Sequence, residues 1–163
     1  MSVRCFIVMG VSGCGKSSVA KAFAEQSGGK FLDGDDFHPQ CNVEKMSKGI
    51  PLEDADRWDW LDVLNDLMLR HEKQGEGPLF LACSALKQSY RDRLRENVKT
   101  LNFLFLNGSF ELIHERMQAR KDHFMPAGLL ESQFEALEVP EYGIHVDISG
   151  SPEAIITSIL ERI

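Results

Sequence analysis

Gly10-Val11-Ser12-Gly13-Cys14-Gly15-Lys16-Ser17 stands between the apolar run Cys5-Phe6-Ile7-Val8-Met9 and the helical pattern Ser18-Val19-Ala20-Lys21-Ala22-Phe23. The eight residues follow the pattern G-x-x-x-x-G-K-[ST], and a buried strand before with a helix after is the context that pattern requires. Its glycines let the backbone curl so that successive N–H groups point into one concavity at a helix N-terminus, a nest for an anion. Lys16 can reach the β- and γ-phosphates of a nucleotide, and Ser17 can place its hydroxyl on a magnesium ion. Gly10 through Ser18 are therefore the expected nucleotide-binding residues, and a nucleoside triphosphate with Mg2+ is the expected ligand.

The chain of 163 residues is long enough to bury most of its apolar surface in one domain. Its 43% hydrophobic and 26% charged residues are those of an ordinary globular protein. A net charge of -7 argues against a general nucleic-acid or membrane-surface binder, because both need a basic field. Cys5, Cys14, Cys41 and Cys83 form no C-x-x-C pair, which suggests neither a zinc site nor a disulfide framework and fits a reducing compartment. The N-terminal apolar run is too short for a signal peptide, and no stretch approaches membrane-spanning length, so the cytoplasm is the expected location.

Outward from the glycine-rich loop, apolar runs at 4–9, 78–83 and 101–106 read as strands of a parallel sheet, with a short strand at 30–33 and a last one near 143–148. Helices are expected over 16–27, 42–48, 53–73, 109–120, 129–137 and from 151 or 152 to 162, with one more after Lys87. In such a sheet ligands bind at the carboxyl ends of the strands. If the backbone stays extended after Leu32, Asp33 and Asp35 point to the same side. A second strand beside the first would then set this pair next to the phosphate nest, one to organise magnesium and one to accept a hydroxyl proton. Acidic residues also populate polar turns, so the spacing alone leaves both readings open.

Residues 36–77 are more than a connection between strands. Arg57 continues the helical stripe of Leu61, Leu64 and Met68 by one turn, and a cation on an apolar face either snorkels out or meets a buried anion. His38, Lys45, Lys48 and Arg57 are candidates for gripping an anionic acceptor, against the alternative of solvated surface charges. Trp58 and Trp60 read as packing or cleft-lining residues. Ser84, at the end of the third strand, is placed to cap the next helix and to touch substrate. Arg116 and Arg120 are four apart, a like-charge pair that costs about 0.2–0.5 kcal/mol on an isolated helix and that a phosphate between them would turn favourable. The stretch from Lys121 to Gly128 has the composition of a lid. Cys14, inside the nest at a helix N-terminus, sits where a thiolate is favoured.

Gly-Val-Ser-Gly-Cys-Gly-Lys-Ser at 10–17, Gly34-Asp35-Asp36-Phe37-His38-Pro39 with Asn42, Lys45-Met46 and Gly49-Ile50-Pro51-Leu52, and Asp54 with Asp56-Arg57 together resemble the gluconokinases. So do Cys83-Ser84-Ala85-Leu86-Lys87 with Tyr90-Arg91, Ala119-Arg120 with His123-Phe124-Met125-Pro126, and Ser132-Gln133-Phe134 with Leu137-Glu138 and Pro140. The match runs through nearly the whole chain in one order. It implies ATP-dependent phosphorylation of D-gluconate on its terminal hydroxyl. It also implies a P-loop kinase fold over residues 1–163: a five-stranded parallel sheet flanked by helices, a helical acceptor-binding insert at about 36–77 and a short lid at about 120–130. A homodimer is common in the family. The roles implied are Lys16, Asp35 and Arg120 in catalysis, Ser17 and Asp33 at the metal, and Arg116 with Arg120 on the nucleotide. Asp35, His38, Lys45, Arg57, Ser84, Arg91 and His123 fall on the acceptor side. One departure is Asp59, where the family usually has a proline near a helix start. Rival readings are another small-metabolite P-loop kinase, acting on shikimate or a nucleoside monophosphate, and a nucleotide-binding regulator without turnover; against the shikimate kinases, the third strand ends in Cys-Ser-Ala-Leu-Lys and not in a glycine cluster.

Overall fold

The structure is a computed structural model that describes residues 4–119 and 127–163. Five strands, β1 (Cys5–Met9), β2 (Lys30–Asp33), β3 (Leu79–Ala82), β4 (Leu101–Asn107) and β5 (Ile144–Asp147), form one sheet in the order β2-β3-β1-β4-β5. Every pairing is parallel, and Cys5 lies level with both Leu79 and Leu101. Among the described residues seven α-helices surround the sheet: α1 (Lys16–Ser27), α2 (Gln40–Ser47), α3 (Asp54–Gln74), α4 (Gln88–Arg95), α5 (Phe110–Ala119), α6 (Ala127–Ala136) and α7 (Pro152–Leu160).

Alternation along the strands divides the core in two. Phe6, Val8, Phe80, Leu104 and Leu106 face α1, α5, α6 and α7, where Phe23, Ile113, Leu130 and Ile155 close over them. Cys5, Ile7, Met9, Leu81, Phe103 and Phe105 face the other way, against Leu61, Leu64 and Met68 of α3 and Tyr90 and Leu94 of α4. Each fully buried side chain of this size is worth about 1.5–3 kcal/mol of transfer free energy.

Two sequence expectations change. The second strand does not lie beside the first: β3, buried throughout, takes the place between them, and β2, with Lys30 exposed and Phe31 to Asp33 half-buried, is the edge. The more polar strand goes to the rim, where one side is solvated. Nor does the chain stay extended after Asp33. Gly34–Phe37 is a 3-10 turn capped by the Asp33 side chain, which accepts a hydrogen bond from the Asp35 N–H at 3.0 Å. Gly34 is needed there because a Cβ would lie 2.8 Å from the Ala82 carbonyl oxygen.

Candidate active site

Because all five strands run the same way, their carboxyl ends share one edge, and the glycine-rich loop leaves β1 at that edge. Gly10 has φ 147°, and a Cβ on it would meet the Cys14 Sγ at 2.7 Å and the Leu106 carbonyl at 2.9 Å. Gly15, at φ 97°, precedes α1 without any side-chain cap, which leaves the first N–H groups of the helix for an anion. Lys16 folds back over the loop, its Nζ donating to the Val11 carbonyl at 3.1 Å. From α6, Gln133 clasps the same loop: the Ser12 N–H donates to its Oε1 at 2.6 Å, and its Nε2 donates to the Ser12 Oγ at 2.8 Å.

The acidic pair reaches the loop across the intervening strand. Ser17 Oγ donates to Asp33 Oδ2 at 3.0 Å. Among the described residues no group of three or more His, Cys, Asp or Glu side chains is gathered to hold a metal ion. A hydroxyl and one carboxylate nevertheless suit magnesium, whose remaining ligands at a nucleotide are phosphate oxygens and waters. Asp35 stands further out, its side chain 82% exposed, with Oδ1 at 3.6 Å from His38 Nε2. The His38 ring, with the Lys16 and Arg57 charges beyond it, holds the Asp35 carboxyl below the usual carboxylate range.

Ser12, Lys16, Asp35, His38, Arg57 and Ser84 line one cleft of about 370 Å³, together with Trp60, Tyr90 and Gln133. Arg57 is held by its Nη2, which donates to the Leu52 carbonyl at 3.3 Å, and by the Tyr90 ring, 5.3 Å from its guanidinium carbon. Its Nε is buried and has no partner among the described residues. Beneath it Asp54 accepts hydrogen bonds from the Tyr90 hydroxyl and, at 2.9 Å, from Lys87 Nζ. These two donors keep the Asp54 carboxyl below its ordinary range, so Asp54 is already paired with Lys87 and leaves Arg57 for a ligand.

Other expected residues stand elsewhere. Lys45 is spent on Asp56, at 2.9 Å and 3.0 Å from its two carboxylate oxygens, and does not line the cleft. Lys48 is exposed at the end of α2. Arg91 is 1% exposed and entirely occupied: it donates to the carbonyls of Ala85, Leu86 and Glu138, to Gln88 Oε1 and to the Tyr142 hydroxyl. It secures the loop after β3, where Ala85 is held at φ 47°, and does not line the cleft. Ser84 does not cap α4, whose N-cap is Lys87; its carbonyl instead accepts from the Gly10 N–H at 3.3 Å. Trp60 stacks on His38, and Trp58 meets Tyr90 edge-on. Asp59 is exposed within α3, whose start is set earlier by the reciprocal Glu53–Asp56 capping box. Arg116 donates to the Gly150 carbonyl at 3.3 Å, beside the loop after β5. Arg120, His123 and residues 120–126 of the lid expected at about 120–130 lie outside the described residues, while 127–130 form the first turn of α6.

A family model described as an AAA domain matches residues 6–140. The thermosensitive gluconokinase of Escherichia coli (strain K12) is 50% identical over 141 residues, covering 86% of this chain and 75% of the relative. The crystal structure of a gluconokinase from Sinorhizobium meliloti 1021 superposes with a TM-score of 0.87 at 44% identity, over 97% of this chain and 90% of that one. The chain belongs to the gluconokinase family. A shikimate kinase from Aquifex aeolicus, at 18% identity and a TM-score of 0.60, shares the P-loop kinase fold alone. The gluconokinase resemblance had already drawn in Asn42, Asp54 and Gln133 without assigning them roles. The contacts of Asn42 with Asp56, Asp54 with Tyr90 and Gln133 with Ser12 join residues 14, 36 and 121 positions apart, which no local pattern reports.

Cys14 departs from expectation. It is 4% exposed, and burial pushes its thiol up against the opposing pull of Lys16. Burial likewise raises Cys5 to about 11 and Cys83 to about 12, whereas Cys41 is exposed. A raised pKa keeps the thiol protonated and unreactive at neutral pH. Peptide mapping after limited alkylation should find Cys41 labelled first and Cys14 spared; fast labelling of Cys14 in the folded protein would contradict this.

Proposed function

We propose that this cleft phosphorylates D-gluconate on its terminal hydroxyl at the expense of ATP, giving 6-phospho-D-gluconate and ADP. The observation that carries the reading is the meeting, in one cleft, of Lys16 on the phosphate loop, the Asp35 carboxylate, and Arg57 with a buried, unpartnered Nε. A buried N–H without an acceptor costs about 1–3 kcal/mol, and the sugar acid's carboxylate would supply that acceptor. The terminal hydroxyl then points away from Arg57 toward the phosphate nest. Its oxygen attacks the γ-phosphorus, the bond to the β-γ bridging oxygen breaks, and the hydroxyl proton passes to Asp35. Such transfers run through a loose transition state, so positioning and charge matter more than basicity. A carboxylate of lowered pKa, ionised at neutral pH, is adequate for that task. The loop N–H groups and Lys16 hold the triphosphate, with Arg116 on the nucleotide side. Ser17 and Asp33 would hold magnesium, which supplies charge neutralisation between the phosphates. Arg120 and His123 complete the cleft in this reading, and family membership supports a homodimer in the cytoplasm; no helix among the described residues is long and apolar enough to cross a membrane.

Selectivity tests the assignment. Gluconate should exceed glucose in kcat/KM by about 10–100-fold, the value of a charge-assisted hydrogen bond of about 1.5–3 kcal/mol. Arg57→Ala should erase most of that ratio, not merely lower both rates. ADP release measured with gluconate, glucose, shikimate and AMP reads this directly. Equal use of gluconate and glucose by the parent enzyme would remove Arg57 from acceptor recognition.

A further inference from the structure

His38 ends the 3-10 turn and Asn42 follows it by four residues in the first turn of α2. Asn42 is 1% exposed, one of two fully buried polar side chains among the described residues. Its Nδ2 donates to the Asp56 carbonyl at 2.8 Å and lies 3.2 Å from His38 Nδ1. A backbone carbonyl can only accept, so the end of the amide facing Asp56 must be the NH2. The same NH2 faces His38 Nδ1, which must therefore present its lone pair. The ring proton is left on Nε2, the atom 3.6 Å from Asp35 Oδ1.

The ring is also fixed in plane. It stacks on Trp60 with centroids 4.1 Å apart and 18° between planes, and Trp60 Nε1 is tied to the Gly34 carbonyl at 2.8 Å. The His38 side chain is 3% exposed while that of Asp35 is 82% exposed. One partner is locked and the other free to turn, so the locked ring dictates where the carboxylate rests. At 3.6 Å the contact is just longer than a formed hydrogen bond, as such contacts often are before substrate closes the site.

We propose that Asn42 is a positioning residue for phosphoryl transfer: it holds His38 in the Nε2–H tautomer, and His38 orients Asp35 so that its second oxygen faces the acceptor hydroxyl. His38 then serves the carboxylate of Asp35 and not that of the sugar acid. The inference rests on the reading of Asp35 as proton acceptor.

Ring-nitrogen NMR of the full chain at neutral pH reads the tautomer, with the His38 signals assigned by their loss in His38→Gln. The parent should show a protonated Nε2 and a bare Nδ1. Asn42→Asp, which offers an acceptor at Nδ1, should protonate that nitrogen and lower kcat about 10–100-fold, the range for partners that orient a working group, with little change in KM for gluconate. His38→Phe keeps the stack on Trp60 but loses the donor, and should also lower kcat at constant KM. His38→Gln restores a donor and should recover most of the loss, which covers the case in which Asn42→Asp fails to fold. A parent ring protonated on Nδ1, or a His38→Phe enzyme with raised KM and intact kcat, overturns the proposal. Full activity of Asp35→Asn would instead remove the base reading and leave the tautomer assignment standing, so the two failures are distinguishable.

Discussion

Lys16→Ala should leave a folded protein that transfers almost no phosphoryl group. Lys16 opens α1, but the residues that anchor this helix in the core are Val19, Ala20, Phe23 and Ala24. Its hydrogen bond to the Val11 carbonyl lies within the loop and is only half-buried, so losing it costs about 1.5 kcal/mol, the low end for a charged donor. In the proposed reaction the same ammonium would stand where negative charge gathers as the bond to the γ-phosphorus breaks. Groups aimed at developing charge typically carry about 10²–10³-fold in kcat, and a full positive charge on a transferring phosphoryl group should carry at least that. Circular dichroism of the variant should overlay the parent, with a melting temperature within a few degrees, while coupled ADP release falls to background. Activity near that of the parent would exclude the glycine-rich loop from catalysis.

The parts of this molecule legible in sequence are those governed by local rules. β1, β3 and β4 are apolar runs because strands in the middle of a parallel sheet are buried on both faces, and the structure buries Cys5–Met9 and Leu79–Ala82 completely. α1 begins at Lys16 and stops at Gly28, whose φ of 70° allows its N–H to return to the Ala24 carbonyl. Strand order is harder to read, since β2 and β3 are equally short, four residues each. The signal lay in polarity: Lys30-Phe31-Leu32-Asp33 carries a charge at each end and suits an edge.

The site divides along the same line. A loop such as residues 10–17 is a continuous segment whose chemistry is written in one place. Arg91 is different, because its sequence neighbours Asp92, Arg93 and Arg95 read as a solvated helix face. What buries it is the arrival of Glu138 and Tyr142 some 50 positions later. Lys45 likewise looks free until α3 brings Asp56 against it. Charge suggests Lys45 and the family resemblance suggests Arg91 for the acceptor, and in both the charge is paired or fully hydrogen-bonded by partners brought in by the fold. Arg57 keeps its place in the cleft because what holds it is a carbonyl and an aromatic face, and no carboxylate among the described residues forms an ion pair with it.

Asp33→Asn and Asp35→Asn should fail in different ways, although only one residue separates them. Asp33 faces the loop, with Oδ2 on the Ser17 hydroxyl and Oδ1 capping the 3-10 turn through the Asp35 N–H. An amide there would weaken the proposed magnesium site, whose protein donors among the described residues are Ser17 and Asp33, so the magnesium requirement should rise and activity should partly return at high magnesium. It also risks putting an NH2 against the Asp35 N–H, so thermal melting must accompany the kinetics to separate a lost cap from a lost metal ligand. Asp35 is exposed and caps nothing, and its replacement by Asn keeps shape while removing the proposed proton acceptor. Loss of a general base typically costs about 10²-fold or more in kcat, with ATP binding by calorimetry nearly unchanged. No magnesium concentration should restore it. One magnesium titration of both variants therefore assigns the roles. Rescue of Asp35→Asn but not Asp33→Asn would reverse them, since a carboxylate that only accepts a proton gives a divalent cation nothing to replace.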